Sequence, residues 1–467
     1  MPTSQIVQTA VATVGFAAAA AAATHALLFK RRPQSAFGWI AVCFTLPFAG
    51  ALLYYLFGIN RVRMRARKLL QRLPEPLCPT EFIGTPPPAL APLERLGEAV
   101  TGWPLTAGNR VDVLYDAGET FNAMLAAIAS AQRYVHLSTY IFDGGPVGRR
   151  FANALADAAA RGVDVRVLLD GVGALYSRPP ITRLLRGTGV RLVRFLPPRL
   201  LPPSVSVNLR SHRKSLVVDG VVAFAGGTNI RDRYVEGPAE QRIVDLHCRV
   251  AGPVVAQIET VFLRDWQFAT GGPAEQPGPP SMPAGAALCR AVTDGPDAEL
   301  DRLTALLIGA IGQARHRIAI MTPYFVPPRE LITPLQAAAL AGKDVAVILP
   351  ALNNLPYIHA ATRHMLWELL ERGVHFYYQP PPFVHSKLLY VDDHYAQLGS
   401  ANLDARSLRL NFEMNLEIYD RDVVTGLATH FEGVRARSRP VTLADVDRRS
   451  FGTKVLDGAA WLFSPYL

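Results

Sequence analysis

Cysteine is scarce in this sequence, and its few copies are scattered. Four cysteines occur in 467 residues, without the spacing of a metal site or a disulfide framework: Cys43, Cys78, Cys248 and Cys289. A zinc site and a disulfide-stabilised fold are therefore not indicated. The chain also lacks a cluster of carboxylates that would hold a divalent cation. We therefore expect neither a metal nor another cofactor.

Acidic residues are a minority among the charged ones. Asp and Glu number 38 against 48 Lys and Arg, which gives a formal net charge of +10 and an isoelectric point of about 9.6. This excess of positive charge favours anionic partners. Nucleic acid and an anionic membrane surface both satisfy that condition by charge alone.

Two long runs near the N-terminus contain no Asp, Glu, Lys or Arg. Residues 6–29 are Ala-rich, and residues 36–57 are more strongly apolar. Each run is long enough to cross a bilayer, which needs ~20 residues. A cleaved signal peptide is the alternative for the first run, but residues 1–5 carry no basic residue and a second run follows at once. We therefore expect two membrane spans.

Basic residues flank the second run on both sides. Three of them precede it at positions 30–32, and six follow it: Arg61, Arg63, Arg65, Arg67, Lys68 and Arg72. The larger cluster favours a hairpin with both ends in the cytoplasm, although the three residues between the runs oppose this orientation.

One stretch in the second half of the chain combines residues that suit a phosphate site. Residues 383–392 are typical of a strand that ends in a turn, and side chains two apart on a strand point the same way, so His385 and Lys387 share a face. Asp392 lies an odd number of residues from both, and we expect it to be structural support. The loop after the next strand carries Ser400 and Asn402, and its small residues leave backbone N–H groups open to an anion.

The same motif occurs earlier, in the same order and with nearly the same spacing. It comprises His212, Lys214, Asp219, Gly227 and Asn229. The flanking sequence also matches, because residues 158–169 are similar to residues 338–349. One copy of the motif is weak evidence, but two copies with matching flanks indicate an internal duplication.

The paired motifs resemble those of the phospholipase D superfamily, in which two copies build one active site across two similar halves. Within that superfamily the chain is similar to the bacterial cardiolipin synthases. The resemblance extends through residues 103–109, 140–142, 324–327, 399–404, 411–415 and 464–467. One position departs from the superfamily's pattern: Gly227 stands where a serine is usual, so Ser400 alone offers a hydroxyl to the phosphate.

The resemblance implies a membrane-bound phosphatidyltransferase of the bacterial inner membrane. It would make cardiolipin from two molecules of phosphatidylglycerol, an anionic phospholipid, and release glycerol through a phosphatidyl-histidine intermediate. His212 would attack, and His385 would act first as general acid and then as base. The two motif lysines, with Asn229 and Asn402, would hold the non-bridging oxygens.

Two acids beyond the motifs, Asp245 and Glu413, are candidates for orienting the imidazoles. Their positions match the superfamily's placement of an acid after each motif. Which acid serves which histidine is open from the sequence, and an ion pair of Asp245 with Arg242 or Arg249 is an equally good interpretation. The other nine histidines lack a lysine partner, and we expect each to be exposed or hydrogen-bonded.

Two other functions fit parts of the pattern. A phospholipase D-type hydrolase would use the same motifs with water as the acceptor. A non-catalytic scaffold would bind anionic lipid through its basic residues, but it has no need of every reacting residue in both motifs. A nuclease is disfavoured because the tract between the motifs lacks interleaved aromatic and basic residues, so we expect no nucleic-acid partner. The oligomeric state is open.

Alternating strand and helix patterns predict an α/β fold of two similar phospholipase D-like halves, with mixed, largely parallel sheets flanked by helices. The first half should contain helices at 121–130 and 151–160 and strands at 134–142 and 163–169. A Pro-rich loop at 196–204 suits either the rim of an acyl-chain groove or an ordinary surface. The expected organisation is a transmembrane hairpin (1–60), a basic juxtamembrane segment and Pro-rich tether (61–108), a first half (109–270), a linker (271–296) and a second half (297–467).

Overall fold

The computed structural model describes residues 3–30, 33–59, 82–198, 209–273, 275–276, 278–279, 281–296 and 299–464. They fall into two compact units, one within residues 1–68 and one that holds the described residues from 82 onward. Three features named above lie wholly or partly outside the described residues: the six-residue basic cluster, the Pro-rich loop and the C-terminal segment.

The N-terminal unit contains helices α1 (Thr3–Phe29), α2 (Pro33–Thr45) and α3 (Pro47–Leu53), then a π-helical turn (Tyr54–Gly58). Among the described residues, α1 is the one helix long and apolar enough to cross a membrane, over Ser4–Phe29. Many of its apolar side chains are exposed, Phe16 and Leu28 among them. This pattern suits a helix surrounded by lipid.

The second apolar run is interrupted within its length. It divides at Leu46, and Pro47 opens helix α3. Proline has no N–H to continue the hydrogen-bond ladder and clashes with the preceding turn, so a new helix begins there. A break of this kind is tolerated in membrane helices.

The larger unit is organised around one sheet of fifteen described strands. The first half supplies β1 (Thr106–Leu114), β2 (Tyr134–Thr139), β3 (Asp164–Asp170), β4 (Arg191–Phe195), β5 (Ser215–Val218), β6 (Val222–Gly226), β7 (Ile243–Val244) and β8 (His247–Ala251). The second half supplies β9 (Ala287–Asp294), β10 (Arg317–Met321), β11 (Phe325–Val326), β12 (Asp344–Pro350), β13 (His375–Gln379), β14 (Phe383–Val384), β15 (Leu388–Val391), β16 (Tyr395–Gly399), β17 (Leu403–Asp404), β18 (Glu413–Tyr419) and β19 (Arg439–Val441). Strands β7, β11, β14 and β17 form two short pairs outside the large sheet.

The two halves repeat one strand pattern. In the first half, β2, β3 and β4 are parallel, and β5, β6 and β8 continue the sheet antiparallel. In the second half, β10, β12 and β13 repeat the parallel part, and β15, β16 and β18 repeat the antiparallel part. Strands β1 and β9 join the halves antiparallel. The predicted fold class is confirmed, but the sheet is not largely parallel, because each motif strand returns as an antiparallel hairpin.

The helices of the larger unit are α4 (Ala91–Thr101), α5 (Ala117–Ser130), α6 (Pro146–Ala160), α7 (Ile181–Leu184), α8 (Val254–Thr270), α9 (Arg302–Gln313), α10 (Arg329–Leu340), α11 (Pro356–Leu370), α12 (Arg421–Arg435), α13 (Leu443–Asp447) and α14 (Phe451–Leu462). The four elements predicted in the first half are confirmed as α5, β2, α6 and β3. Helix α5 begins earlier than predicted because Asp116 caps it, accepting from the N–H groups of Gly118 and Glu119.

Each half has its own apolar core, and this core holds the motif strands in place. The first is built around Phe121, Phe151 and Leu216, and the second around Leu306, Leu366 and Leu389. Leu216 and Leu389 belong to the motif strands themselves. The motif histidines and lysines lie in the short segments directly before these strands, and the strands fix the ends of those segments.

Candidate active site

Each motif histidine is held by backbone hydrogen bonds to the opposite half. The His212 N–H donates to the Phe412 carbonyl at 2.9 Å, and the His385 N–H donates to the Val244 carbonyl at 2.7 Å. Strands β7 and β14 pair in parallel at the second contact, and Ser211 forms an isolated bridge with Phe412 at the first. The halves cross at the motifs and bring the two histidines together.

The two acids are exchanged between the halves. Glu413 Oε2 of the second half lies 3.0 Å from His212 Nδ1, and Asp245 Oδ2 of the first half lies 2.7 Å from His385 Nδ1. Asp245 is only 1% exposed, so it forms no surface ion pair, and Arg249 pairs with another acid. The geometry therefore assigns Glu413 to His212 and Asp245 to His385.

Burial lowers the pKa of both imidazoles. The pKa of His385 falls to about 3, because burial and then Lys387 disfavour the imidazolium more than Asp245 stabilises it. Burial also lowers the pKa of His212, where Lys214 adds to the effect and the facing carboxylate opposes it. Both histidines are therefore neutral at neutral pH.

The two carboxylates stay ionised although they are buried. Burial alone would raise the pKa of Asp245, but Lys387 and His385 hold it below its usual range. Burial acts the same way on Glu413, and there His212 leads the groups that lower the pKa. Each acid thus keeps a negative charge beside the ring nitrogen that it faces.

The motif lysines are buried and bind the backbone of their own motifs. Lys214 Nζ donates to the His212 carbonyl at 2.6 Å, and Lys387 Nζ donates to the His385 carbonyl. Lys387 Nζ also lies 2.7 Å from His385 Nδ1. Burial lowers the pKa to about 7 for Lys214 and to about 8 for Lys387. Neither lysine lines the active-site cavity, so the direct phosphate contact expected from the sequence requires the ammonium to leave its carbonyl.

One cavity of about 380 Å³ unites residues of both motifs. His212 and Asn229 of the first motif and His385 and Asn402 of the second all line its wall. Equivalent tyrosines pack against the two histidines edge-on: the ring of Tyr140 lies 5.4 Å from His212, and that of Tyr324 lies 6.3 Å from His385. The cavity presents two imidazoles to one ligand.

Gly227 and Ser400 occupy equivalent places but do not face the cavity. The Ser400 hydroxyl donates to Glu413 Oε2 at 2.5 Å, so it binds the acid rather than a phosphate, contrary to the expectation. A Cβ at Gly227 would lie 2.3 Å from Asp245 Oδ1. The first half therefore combines the shorter acid with a residue that has no side chain, whereas the second combines the longer acid with a hydroxyl.

The aspartate of each motif is a structural anchor. The Asp219 carboxylate accepts from the backbone N–H groups of residues 132–134, at 2.8 Å each. Asp392 accepts in the same way from residues 315–317, at 2.8–2.9 Å. Each ties the turn after a motif strand to the start of the antiparallel strand beside it, β2 or β10. Neither lines the cavity, in agreement with the supporting role predicted for Asp392.

Comparisons with known proteins relate this geometry to a family. The family described as cardiolipin synthase, PLD-like domain, matches residues 124–266 and 307–435, one segment in each half. A cardiolipin synthase of Geobacillus thermodenitrificans is 33% identical over 455 residues, covering 94% of this chain and 90% of that protein. The major cardiolipin synthase ClsA of Bacillus subtilis is 31% identical over 461 residues, covering 94% and 96%. The chain belongs to the cardiolipin synthase family.

A solved structure supports the fold of this cardiolipin synthase family member. A phosphatidylserine synthase of Haemophilus influenzae matches with a TM-score of 0.63 and 16% identity, over 80% of this chain and 100% of that one. At this identity the likeness shows the fold alone. A second family, described as phospholipase D-nuclease N-terminal, matches residues 17–58. Together with helix α1, that match indicates that the N-terminal unit is membrane-associated.

The cavity of this cardiolipin synthase family member also contains charged residues that the sequence analysis did not single out. Arg210, Arg231 and Arg406 line the wall, and so does Asp404. Burial raises the pKa of Asp404 to about 7. The signal available in the sequence was proximity: Arg210 lies two residues before a motif histidine, and Arg406 lies four residues after Asn402.

His247 does not fit the expectation for the remaining histidines. It is buried, and neither ring nitrogen has a hydrogen-bond partner among the described residues. Burial lowers its pKa to about 4. Its equivalent in the second half is Asn415, because His247 pairs with Gly226 as Asn415 pairs with Gly399. The expectation that it is exposed or hydrogen-bonded is wrong.

Proposed function

We propose that the protein is a membrane-bound phosphatidyltransferase that makes cardiolipin from two phosphatidylglycerol molecules and releases glycerol. The observation that carries the proposal is the pair His212 and His385, which line one cavity and whose Nδ1 atoms face acids of the opposite halves. Two imidazoles at one phosphate allow a two-step route through a covalent intermediate. The cardiolipin product is taken from the relatives, which are cardiolipin synthases.

In the first step, His212 Nε2 attacks the phosphorus of one phosphatidylglycerol, and the bond from phosphorus to the terminal glycerol oxygen breaks. His385 donates its Nε2 proton to that oxygen. Lys387 replaces the proton by giving one to His385 Nδ1, 2.7 Å away. Glycerol leaves, and the phosphatidyl group stays bonded to His212.

The second step reverses these transfers with a new alcohol. The terminal glycerol hydroxyl of a second phosphatidylglycerol gives its proton to His385 Nε2, and its oxygen attacks the phosphorus. The phosphorus–nitrogen bond to His212 breaks as the new phosphorus–oxygen bond forms. The Nδ1 proton returns to Lys387, which restores the starting state and releases cardiolipin.

The surroundings of the two Nδ1 atoms support this order of roles. His212 Nδ1 faces two acceptors, the Glu413 carboxylate and a backbone carbonyl at 3.1 Å, so its proton stays there and Nε2 keeps its lone pair. His385 Nδ1 faces one acceptor, Asp245, and one donor, Lys387. The donor favours the tautomer with the proton on Nε2, as a general acid requires.

Hydrogen-bond donors and positive charges in the cavity wall can stabilise the negative charge of the phosphate. Asn229 Oδ1 accepts from the Ile141 N–H at 3.1 Å, so its side-chain amide N–H groups, which also contact Tyr234, are the donors that it can offer to an oxygen of the ligand. Asn402 holds the matching place in the second half. Arg210 and Arg406 add positive charge to the same wall. Such preorganised donors stabilise the charge of the transition state.

We place the reaction at the cytoplasmic face of the bacterial inner membrane, with two N-terminal spans. The support is the apolar helix α1 together with the six basic residues that follow the second apolar run. A reporter fused after Leu467 should be active on the cytoplasmic side. Activity only on the opposite side would contradict this orientation.

The deciding experiment incubates the purified protein with phosphatidylglycerol alone and separates the products. One cardiolipin and one glycerol should appear for every two phosphatidylglycerol molecules consumed. Phosphatidic acid as the main lipid product would instead identify a hydrolase with water as the acceptor.

A further inference from the structure

The last described helix, α14 (Phe451–Leu462), has the reverse of the usual polarity. Its one buried residue is an acid, Asp457, which forms ion pairs with Arg363 and Arg449. A helix on the surface of a soluble protein buries its apolar side and exposes its charged side. In α14 the acidic residue faces the protein, whereas Lys454 is exposed.

The outward side of α14 is apolar. Phe451 is 83% exposed, Leu456 is 70% exposed and Leu462 is 71% exposed, and Phe463 just beyond the helix is 64% exposed. Val455 is exposed on the same helix. Large exposed apolar side chains gathered on one element indicate an interaction site rather than ordinary surface. We call this set of five residues the α14 face.

The element that carries the α14 face packs against the wall of the active site. Helix α14 lies along α11, where Arg363 Nε donates to Asp457 at 3.1 Å and the ring of Trp461 lies 5.1 Å from that of His364. The first turn of α11 contributes Tyr357 and Ile358 to the cavity wall. Two packed helices therefore connect the cavity to the α14 face.

We propose that the α14 face inserts into the interfacial layer of the phospholipid bilayer that contains the substrate. The cavity of about 380 Å³ has the size of a polar headgroup site, so the acyl chains of a bound phospholipid remain in the bilayer. A helix with an apolar face of this kind lies in the plane of the membrane interface. This membrane contact depends on the proposed function in one respect only, namely that the substrate is a phospholipid.

Charge beside the α14 face matches an anionic membrane rather than a second protein copy. Arg448 and Lys454 are exposed beside it, and anionic headgroups attract such residues. Trp461 is partly exposed at the C-terminal end of the helix, and tryptophan is enriched at membrane interfaces.

The test places a fluorophore on the α14 face of the full-length protein in vesicles of phosphatidylglycerol and phosphatidylcholine. An environment-sensitive dye is attached to Leu456→Cys in a Cys78→Ser background, since Cys43, Cys248 and Cys289 are buried. The matched control carries the dye on Met282→Cys, which is 76% exposed in the segment between the halves. Nitroxide groups on the acyl chains should quench the dye at 456 several-fold more than the dye at 282.

Activity provides the second measurement. A triple variant, Phe451→Ser with Leu456→Ser and Leu462→Ser, should lose about tenfold or more of its turnover on vesicles but keep its turnover on soluble short-chain phosphatidylglycerol. The control triple, Val221→Ser with Met282→Ser and Leu340→Ser, removes three other exposed apolar side chains and should lose neither.

The outcomes separate the two proposals. Equal quenching of both dyes by an aqueous iodide quencher would overturn the membrane contact, whatever the enzyme makes. Energy transfer between labelled copies that rises with protein density, without quenching from the lipid, would assign the α14 face to self-association. Hydrolysis of phosphatidylglycerol by the unmodified protein, with quenching at 456 intact, would overturn the proposed reaction and leave the membrane contact standing.

Discussion

Asp245 and His385 come from different halves of the chain, and their side chains meet at 2.7 Å. Glu413 and His212 form the reciprocal contact at 3.0 Å. Because each imidazole is oriented by an acid from the other half, neither half contains a complete His–acid pair. A change in one half therefore alters the chemistry of a histidine in the other.

The roles of the two histidines can be separated with an activated phosphodiester that releases nitrophenolate, because this leaving group needs no proton. His385→Ala should lose nearly all turnover of phosphatidylglycerol, yet still show a burst of nitrophenolate and a phosphatidyl adduct on the protein. His212→Ala should show neither burst nor adduct. Mass spectrometry of both variants gives the readout. An adduct on His385 in the His212→Ala protein, with none in the reciprocal variant, would reverse the roles.

The proposed proton relay predicts that Lys387 behaves like His385. Lys387→Met should lower turnover of phosphatidylglycerol by about 10²-fold or more, while the nitrophenolate burst stays close to that of the unmodified protein. Lys387 supplies the proton that replaces the one given to glycerol, and the activated substrate has no need of it. If the burst falls as steeply as the turnover, Lys387 acts on the phosphate itself instead.

Substitutions of the two acids, Asp245 and Glu413, should give different results with phosphatidylglycerol and with the activated phosphodiester. Asp245→Asn disturbs His385, so it should lower turnover of phosphatidylglycerol by about 10²-fold and spare the nitrophenolate burst. Glu413→Gln disturbs the attacking His212, so it should lower both. The reverse assignment of acids to histidines would exchange these two results. Circular dichroism and the melting temperature provide the control for folding.

Gly227 should not tolerate a side chain. In Gly227→Ala the new Cβ would lie 2.3 Å from Asp245 Oδ1. The carboxylate must move, which should cost about 1–3 kcal/mol of stability and pull Asp245 away from His385. The matched control is Gly433→Ala in helix α12, where a Cβ meets no atom within 4 Å. Equal melting temperatures and activities for the two variants would contradict this account.

Because His247 is buried without a hydrogen-bond partner among the described residues, we expect the folded protein to lose stability in acid. Its pKa of about 4 in the folded protein lies below the ~6.5 of an unfolded chain, so the unfolded state binds the proton first as the pH falls. Stability from this group is therefore complete above pH ~6.5 and declines down to about pH 4. His247→Asn, which copies Asn415 of the other half, should reduce the slope of the melting temperature against pH over that window, and the part due to His385 and His359 should remain. An unchanged slope, with folding intact, would remove His247 as the cause.

Local pattern in the sequence was enough to find His212, His385, Asn229 and Asn402, because the internal repeat presents the same residue types twice in the same order and with nearly the same spacing. The pairing of Asp245 with His385 could not be predicted from the sequence, because it depends on the contact between β7 of the first half and β14 of the second. Arg210 and Arg406 were missed although each lies close to a motif in sequence, because proximity alone does not show which loop residues turn toward the cavity.

The reciprocal exchange of acids across β1 and β9 is the arrangement that a two-fold symmetric dimer of identical subunits would have, since in such an interface each contact occurs twice. Here one chain supplies both copies, so the two no longer need to be the same. The contact between the loop residue and the acid differs between the halves. Gly227 lies directly against Asp245, whereas the Ser400 hydroxyl hydrogen-bonds to Glu413. In a dimer of identical chains every substitution enters both sites together. When one chain contains both halves, that constraint is absent, so the two histidines can differ, as the proposed roles of attack and proton transfer require.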